Sequence, residues 1–138
     1  MIRTIHITLA DRERLRKLIS REREFGTVKN KDYLKDLEQE LNRANIEESK
    51  MIPSDIITMN SKVLLRDLES GEESIYTLVY PDEANLFEDR ISVLAPIGTA
   101  ILGFREGDVI DWKVPDGIVK LKVEKILYQP EAAGEYEL

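Results

Sequence analysis

Paired carboxylates are the side chains of this sequence that could most readily do chemistry. Adjacent acids occur at Glu72–Glu73, Asp82–Glu83 and Glu88–Asp89. Two neighbouring carboxylates can bind a divalent cation or share general acid and base catalysis. Each pair lies in a charge-rich stretch of the kind that usually forms a solvated loop, so we interpret all three as surface residues. These acids therefore predict no catalytic pair.

The other reactive side chains lack suitable partners. The chain has no Cys and one His, His6, which lies in the alternating run RTIHIT and is predicted to be a strand or entry-segment residue. Ser61 and Lys62 are adjacent in a predicted strand, where neighbouring side chains point to opposite faces and cannot form a dyad. The glycines of GFREGD follow a predicted helix, unlike those of a phosphate-binding loop. We expect no catalytic residue, no metal site and no cofactor.

Length and charge limit the class of protein and its partners. The 138 residues are 42% hydrophobic and 34% charged, which is enough for one core. No apolar run approaches the ~20 residues of a membrane span, and the N-terminus lacks the apolar centre of a signal peptide, so we expect a cytoplasmic protein without a membrane partner. The net charge of −7 divides into +2 over residues 1–50 and −9 over residues 51–138. The acidic C-terminal part disfavours stable binding to duplex DNA and favours a protein or small-molecule partner.

Residues 1–50 have helical periodicity. Thr8, followed three residues later by Asp11, resembles a capping box and predicts a helix start near Leu9. In the segment EFGTVKNKDYL, Gly26 is suited to end this helix and Asn30 to cap the next. Helices of about 14 and 18 residues joined by a short loop predict an antiparallel helical hairpin, a short coiled coil roughly 20–27 Å long. Its apolar stripes are Leu15, Leu18 and Ile19, then Leu34, Leu37, Leu41 and Ala44.

From residue 51 onward the apolar pattern changes to that of strands. SKVLLRDL and ESIYTLVYP flank a predicted turn at Ser70-Gly71, and β-branched runs flank Pro115-Asp116-Gly117. ISVLAPIGTAILGF predicts a strand and then a short helix, with Pro96 in its first turn and Gly103 beyond its end. The predicted fold class is α+β, with a helical hairpin at residues 1–50 and an antiparallel β-sheet domain with one short helix at 51–138. The tail QPEAAGEYEL has little apolar content and is expected to be partly mobile.

The order of these elements, and several strings, resemble the bacterial Gre transcript-cleavage factors. ITLADRERLRKL is similar to the start of the first Gre helix, and YLKDLEQELNRANI to the end of the second. ISVLAPIGTAILGFREGDVIDWKVPDGIVKLKVEKILY is similar to the Gre C-terminal domain, whose fold is described as FKBP-like. Within this GreA/GreB superfamily the chain most resembles the Rnk group, through TMNSKV, TLVYP, VLAPIGTAILG and YQPEAAGEYEL. Contact with nucleoside diphosphate kinase is suggested only by that group's full name, regulator of nucleoside diphosphate kinase.

The resemblance implies a protein that binds RNA polymerase at the rim of its secondary channel. In Gre factors the sheet domain docks on the rim, the coiled coil enters the channel, and two acids at its tip help to hold a catalytic metal. Rnk-type proteins resemble them with a shorter arm, which implies competition with Gre factors without cleavage. The positions that match the tip acids hold Thr27 and Asn30, which are poor substitutes for carboxylates in holding Mg²⁺. The alternative is an active cleavage factor that uses Asp32 or Glu24.

The match to Gre factors at Pro96 and Ile97 implies that this segment forms the docking edge. The polymerase-docking candidates are Pro96, Ile97, Ala100, Ile101 and Leu102. Ile97, Ile101 and Leu102 are equally compatible with the core face of a helix. Arg12, Arg16 and Arg23 on the arm are candidates for steering it into the channel, or are solvated flanks of the hairpin.

A free-standing prolyl isomerase is the third alternative, because the implied fold is FKBP-like. Such an enzyme needs aromatic side chains that converge on an apolar pocket. The sequence has Trp112 and scattered tyrosines, and their spacing does not indicate convergence. This alternative is therefore the least favoured of the three.

Overall fold

The protein combines N-terminal helices with a C-terminal β-sheet, in agreement with the predicted mixed class. A computed structural model describes residues 5–25, 32–114 and 117–135. Within those ranges, no helix is both long enough and apolar enough to span a bilayer.

The first helix begins where its capping signal predicts. Strand β1 (His6–Thr8) leads directly into α1 (Leu9–Phe25), and the Asp11 N–H donates to Thr8 Oγ1 at 3.0 Å. A threonine oxygen that accepts from the third helical N–H satisfies one of the donors left unpaired at a helix start. The predicted start and the strand position of His6 are confirmed.

The second helix is shorter than predicted. Helix α2 (Asp32–Arg43) ends before Asn45–Glu47, which forms strand β2 and pairs in parallel with β1. The Asn45 N–H donates to the Ile5 carbonyl at 2.8 Å. The expectation that the helix continues through Asn45 and Ile46 was wrong, because backbone hydrogen bonds to β1 hold this segment extended. Parallel strands need a crossover connection, which α1 and α2 supply.

The two helices contact each other through the predicted apolar stripes. Arg23 of α1 pairs with Glu38 of α2, and the earlier Arg16 pairs with the later Asn42, so the two helices run in opposite directions. The proposed roles of Gly26 and Asn30 lie outside the described residues. Buried stripe residues are Leu15, Ile19, Leu34, Leu37 and Leu41.

The larger sheet has five strands, which are β3 (Lys62–Asp67), β4 (Glu73–Val79), β5 (Arg90–Ser92), β6 (Val109–Val114) and β7 (Gly117–Tyr128). Their order across the sheet is β5-β4-β3-β7-β6. Both predicted hairpin pairings are confirmed, because β3 pairs antiparallel with β4 and β6 pairs antiparallel with β7. Gly71, in the first of these turns, has φ 77°, where glycine avoids the strain of a side chain. Pro115 and Asp116, in the second, lie outside the described residues.

The sheet is mixed, which corrects the expectation of a purely antiparallel one. Strand β5 pairs in parallel with β4, with Leu78 opposite Ile91. The connection between them contains two 3₁₀ turns, Pro81–Glu83 and Leu86–Glu88. The connection returns only as far as Thr77, opposite Arg90, so β5 runs beside the end of β4 in the same direction instead of folding back as a hairpin.

Both parts of the chain contribute to one hydrophobic core. Leu15 and Leu37 from the helices belong to the same buried cluster as Met59, Val63 and Leu78 from the region of the sheet. Helix α3 (Pro96–Ile101) also packs on this cluster. The division into domains at residue 50 stays a prediction.

Candidate functional site

The docking candidates on α3 divide into exposed and buried residues. Pro96 is exposed at the first position of the helix, while Ile97 and Ala100 are half-buried against the core. Ile101 and Leu102 are fully buried. These last two cannot meet a partner without local unfolding, so the structure assigns them to the core and corrects their inclusion in the docking edge.

Close packing against β5 determines how α3 presents Pro96. A Cβ added at Gly98 would lie 2.1 Å from the Ser92 carbonyl oxygen, so only glycine allows this approach. The Thr99 hydroxyl donates to the Val93 carbonyl at 2.6 Å, and the Leu94 N–H donates to Ser92 Oγ at 3.0 Å. Helix α3 is therefore held against the sheet, with Pro96 at its start exposed to solvent.

A cavity of about 190 Å³ lies beside Ile97. Trp112 and Tyr76 both line it, which corrects the expectation that the aromatic residues do not converge. The Trp112 indole N–H is buried and has no hydrogen-bond partner in the described part of the chain. The volume is suited to a single side chain, because ligand pockets are usually larger, at about 300–1,000 Å³. Its other lining residues are Leu65, Asp67, Glu72, Ser74, Val119 and Leu121.

The basic candidates of the arm pair with other residues of the arm. Arg23 contacts both carboxylate oxygens of Glu38, at 2.8 and 3.1 Å. Arg16 donates to the Asn42 side-chain oxygen at 3.4 Å, and Arg12 donates to the carboxylate of its neighbour in the chain at 3.4 Å. Exposed pairs of this kind contribute about 0–1 kcal/mol each, so they leave the guanidinium groups available to an acidic partner at low cost.

The tip of the arm lies mostly outside the described residues. Thr27 and Asn30 are in the segment that the structure leaves undescribed, and Asp32 is the first residue of α2. Among the residues that the structure does describe, no three His, Asp or Glu side chains stand together as a metal site.

A buried polar cluster at the base of the arm was not foreseen from the sequence. Asp11 is only 2% exposed, and its Oδ2 accepts from the Met59 N–H at 3.2 Å. Burial, reinforced by the nearby Glu131 carboxylate, raises the pKa of Asp11 to about 7, although Arg14 acts in the opposite direction. Burial and the nearby Asp11 also raise the pKa of the Tyr80 hydroxyl.

The sequence predicted one of the two contacts of Asp11, the local one. The Thr8-x-x-Asp11 spacing correctly located the helix start, since the backbone of Asp11 binds Thr8. A capping box also expects the acid side chain to bind back to its own helix start. Here the side chain of Asp11 also reaches Met59, a contact between residues 48 positions apart.

The C-terminal tail docks on the same region through polar contacts, although its sequence has little apolar content, and its expected partial mobility stays a prediction. Gln129 is buried, and its side-chain amide donates to the carbonyls of Pro53 and Ile56 at 2.9 and 2.7 Å. Glu131 accepts from the Thr58 hydroxyl at 2.6 Å. The tail is therefore held by hydrogen bonds, which the low apolar content of its sequence does not reveal.

Comparison with known proteins gives matches over most of the chain. The family model "Transcription elongation factor, GreA/GreB, C-term" matches residues 52–128, and the model "Rnk N-terminus" matches residues 3–46. The chain is 46% identical to the regulator of nucleoside diphosphate kinase of Escherichia coli K12, over 74% of this chain and 76% of that protein. It is 37% identical to the transcription elongation factor GreA of Alkaliphilus oremlandii, over 78% of this chain and 71% of that protein.

The fold has a solved counterpart. The structure of the prokaryotic transcription elongation factor GreA/GreB from Nitrosomonas europaea superposes with a TM-score of 0.75 and 37% identity. The match covers 92% of this chain and all of that one. It therefore includes the helices as well as the sheet.

Proposed function

Because the chain belongs to the GreA/GreB transcription elongation factor family and carries an N-terminal part of the Rnk type, we propose that it regulates transcription by binding RNA polymerase. It occupies the secondary channel in competition with Gre factors and has no transcript-cleavage activity of its own. Residues 1–50 form a helical-hairpin arm, and residues 51–138 form an FKBP-like domain that docks on the channel rim.

The anchored base of the arm is the observation that carries this proposal. Strand β2 pairs with β1, which joins the two ends of the arm, and the buried Asp11 side chain accepts from the Met59 N–H on the sheet side. An arm whose two ends are paired to each other, and which is bonded to the sheet side through Asp11, keeps a fixed direction relative to the docking domain, which an element that enters a narrow channel requires. At ~1.5 Å per residue, the 17 residues of α1 give the arm a length of roughly 25 Å.

Pro96 is the docking residue that can be tested without damage to the core. It is exposed, so Pro96→Asp adds a charge at the rim contact and leaves the packing of the helix intact. Ile97→Asp would place a carboxylate against the core cluster. If it were combined with Pro96→Asp, a loss of binding could come either from lost docking or from a damaged fold. Ser54→Asp, another exposed position, is the matched control for the added charge.

Competition with a Gre factor tests the binding site. We expect the wild-type protein to displace a labelled Gre factor from purified polymerase, Ser54→Asp to do so equally well, and Pro96→Asp to need about tenfold more protein, a loss of the size seen at anchor residues of an interface. Failure of the wild-type protein to displace the Gre factor would refute secondary-channel occupancy.

The absence of cleavage activity rests on the tip sequence. The two positions that match the Gre tip acids are Thr27 and Asn30, and neither side chain supplies the charged oxygen that Mg²⁺ prefers. We expect no RNA shortening when the protein is added to stalled elongation complexes. Cleavage at the level of a Gre factor, lost in Asp32→Asn or Glu24→Gln, would instead establish the active factor.

A further inference from the structure

Two large apolar side chains stand exposed at the tip of the turn before β5. Phe87 is fully exposed and Leu86 is 82% exposed. We call this pair the Leu86–Phe87 knob. Isolated apolar residues are common on protein surfaces. These two adjacent side chains stay exposed to water, so their burial contributes almost nothing to the stability of the fold. Exposed apolar clusters of this kind often mark interaction sites.

Backbone and side-chain hydrogen bonds hold the knob in one conformation. Asn85 and Arg90 exchange two backbone hydrogen bonds of 2.9 Å, which close the loop at its base. The Asn85 side chain accepts from the Phe87 N–H at 3.0 Å, and Asp89 takes a left-handed conformation with φ 55°. A binding element that is already ordered loses less conformational entropy when it meets its partner.

Acidic residues surround the knob. Asp82, Glu83, Glu88 and Asp89 are all exposed in the same connection between β4 and β5. Arg90 is the one Lys or Arg in residues 80–90. Its guanidinium group lies 3.8 Å from the Glu88 carboxylate. A partner surface that accommodates the two apolar side chains must therefore carry positive charge around its pocket.

We propose that the Leu86–Phe87 knob is a second docking element, which inserts into an apolar pocket edged by Lys or Arg on RNA polymerase. This inference rests on the proposed function for the identity of the partner. The knob precedes β5 and α3 follows it, so the two contacts lie at opposite ends of this edge strand. Contacts at two separated points fix the orientation of the sheet domain, and hence the direction of the arm.

The acids act mainly on the rate of association, and the apolar pair on the lifetime of the complex. Charges at the rim of an interface steer the encounter and are screened by salt, whereas buried anchors control dissociation. Asp82→Asn with Glu83→Gln should therefore slow association at low salt and lose this effect at high salt. Leu86→Ser with Phe87→Ser should raise the dissociation rate at either salt concentration.

The test measures binding of the full chain to purified polymerase. We expect Leu86→Ser with Phe87→Ser to weaken binding about tenfold or more, as is typical of two apolar anchors. Met51→Ser, which removes an apolar side chain that is 71% exposed elsewhere, is the matched control and should bind as the wild type does. Since the knob residues are exposed, urea unfolding should show equal stability for all three proteins.

The outcomes separate this inference from the proposed function. If the wild-type protein binds polymerase and the knob variant binds equally well, the inference is overturned and the proposed function stands. If the wild-type protein does not bind, both are overturned. If the knob variant changes only the self-association seen by sedimentation, the occupant is a second copy of this chain and the polymerase contact is refuted.

Discussion

Replacement of Asp11 by Asn should remove a large part of the pH dependence of stability. The carboxyl has an ordinary pKa of 3.8, which burial and Glu131 raise to about 7 in the folded protein. Between these two pH values the folded protein holds a proton that the unfolded chain has released. The free energy of unfolding therefore falls as the pH rises from about 4 to about 7, and this contribution is constant above and below that range.

The magnitude follows from the size of the pKa change. Each pKa unit corresponds to ~1.4 kcal/mol, so the whole rise is worth about 4 kcal/mol, and the part between pH 5 and pH 8 about 3 kcal/mol. The amide introduced by Asp11→Asn would be neutral at every pH, and its oxygen can still accept from the Met59 N–H. Between pH 5 and pH 8, the wild-type protein should therefore lose about 3 kcal/mol more stability than Asp11→Asn.

Urea unfolding at a series of pH values provides the assay. Trp112 is the only Trp of the chain, and its half-buried indole should report the transition by fluorescence. Asp82→Asn is the matched control, because it removes an exposed carboxylate and should keep the wild-type slope. Parallel curves of unfolding free energy against pH for wild type and Asp11→Asn would refute the role of this buried carboxyl.

Two further predictions concern packing and the docked tail. Gly98→Ala should destabilise the protein by about 3 kcal/mol, because its Cβ would lie 2.1 Å from the Ser92 carbonyl oxygen, a backbone atom that must move. A change in urea midpoint too small to measure would show that α3 can shift away from β5 freely. Gln129→Leu should cost about 2 kcal/mol, since it leaves the carbonyls of Pro53 and Ile56 without their donor. Proteolysis should then cut the tail faster than in wild type, and equal rates would contradict its docking by this amide.

The local chemistry of the sequence determined most of the elements. Thr8 specified the start of α1 and Pro96 that of α3, because both act on the backbone within one turn of themselves. Alternating apolar residues around short turns specified the pairs β3–β4 and β6–β7, since a hairpin pairs neighbours in the chain. The resemblance of quoted strings to Gre and Rnk proteins identified the family, which the comparisons confirm.

Tertiary structure alone decided the features that depend on distant residues. Helix α2 ends early because the Asn45 N–H donates to the Ile5 carbonyl, and β5 runs parallel to β4 because of the path of the connection between them. The division of the α3 candidates into exposed Pro96 and buried Ile101 depends on which face meets the core.

The base of the arm shows the difference most clearly. From the sequence, Asp11 was a local helix signal and the tail a partly mobile segment with little apolar content to dock. In the folded chain, Asp11 binds Met59 and Glu131 binds Thr58, contacts that span 48 and 73 residues. A side chain's type tells which bonds it can make, and its near neighbours determine the local backbone. Which distant group it meets, and whether water is excluded there, is determined only when the whole chain has packed.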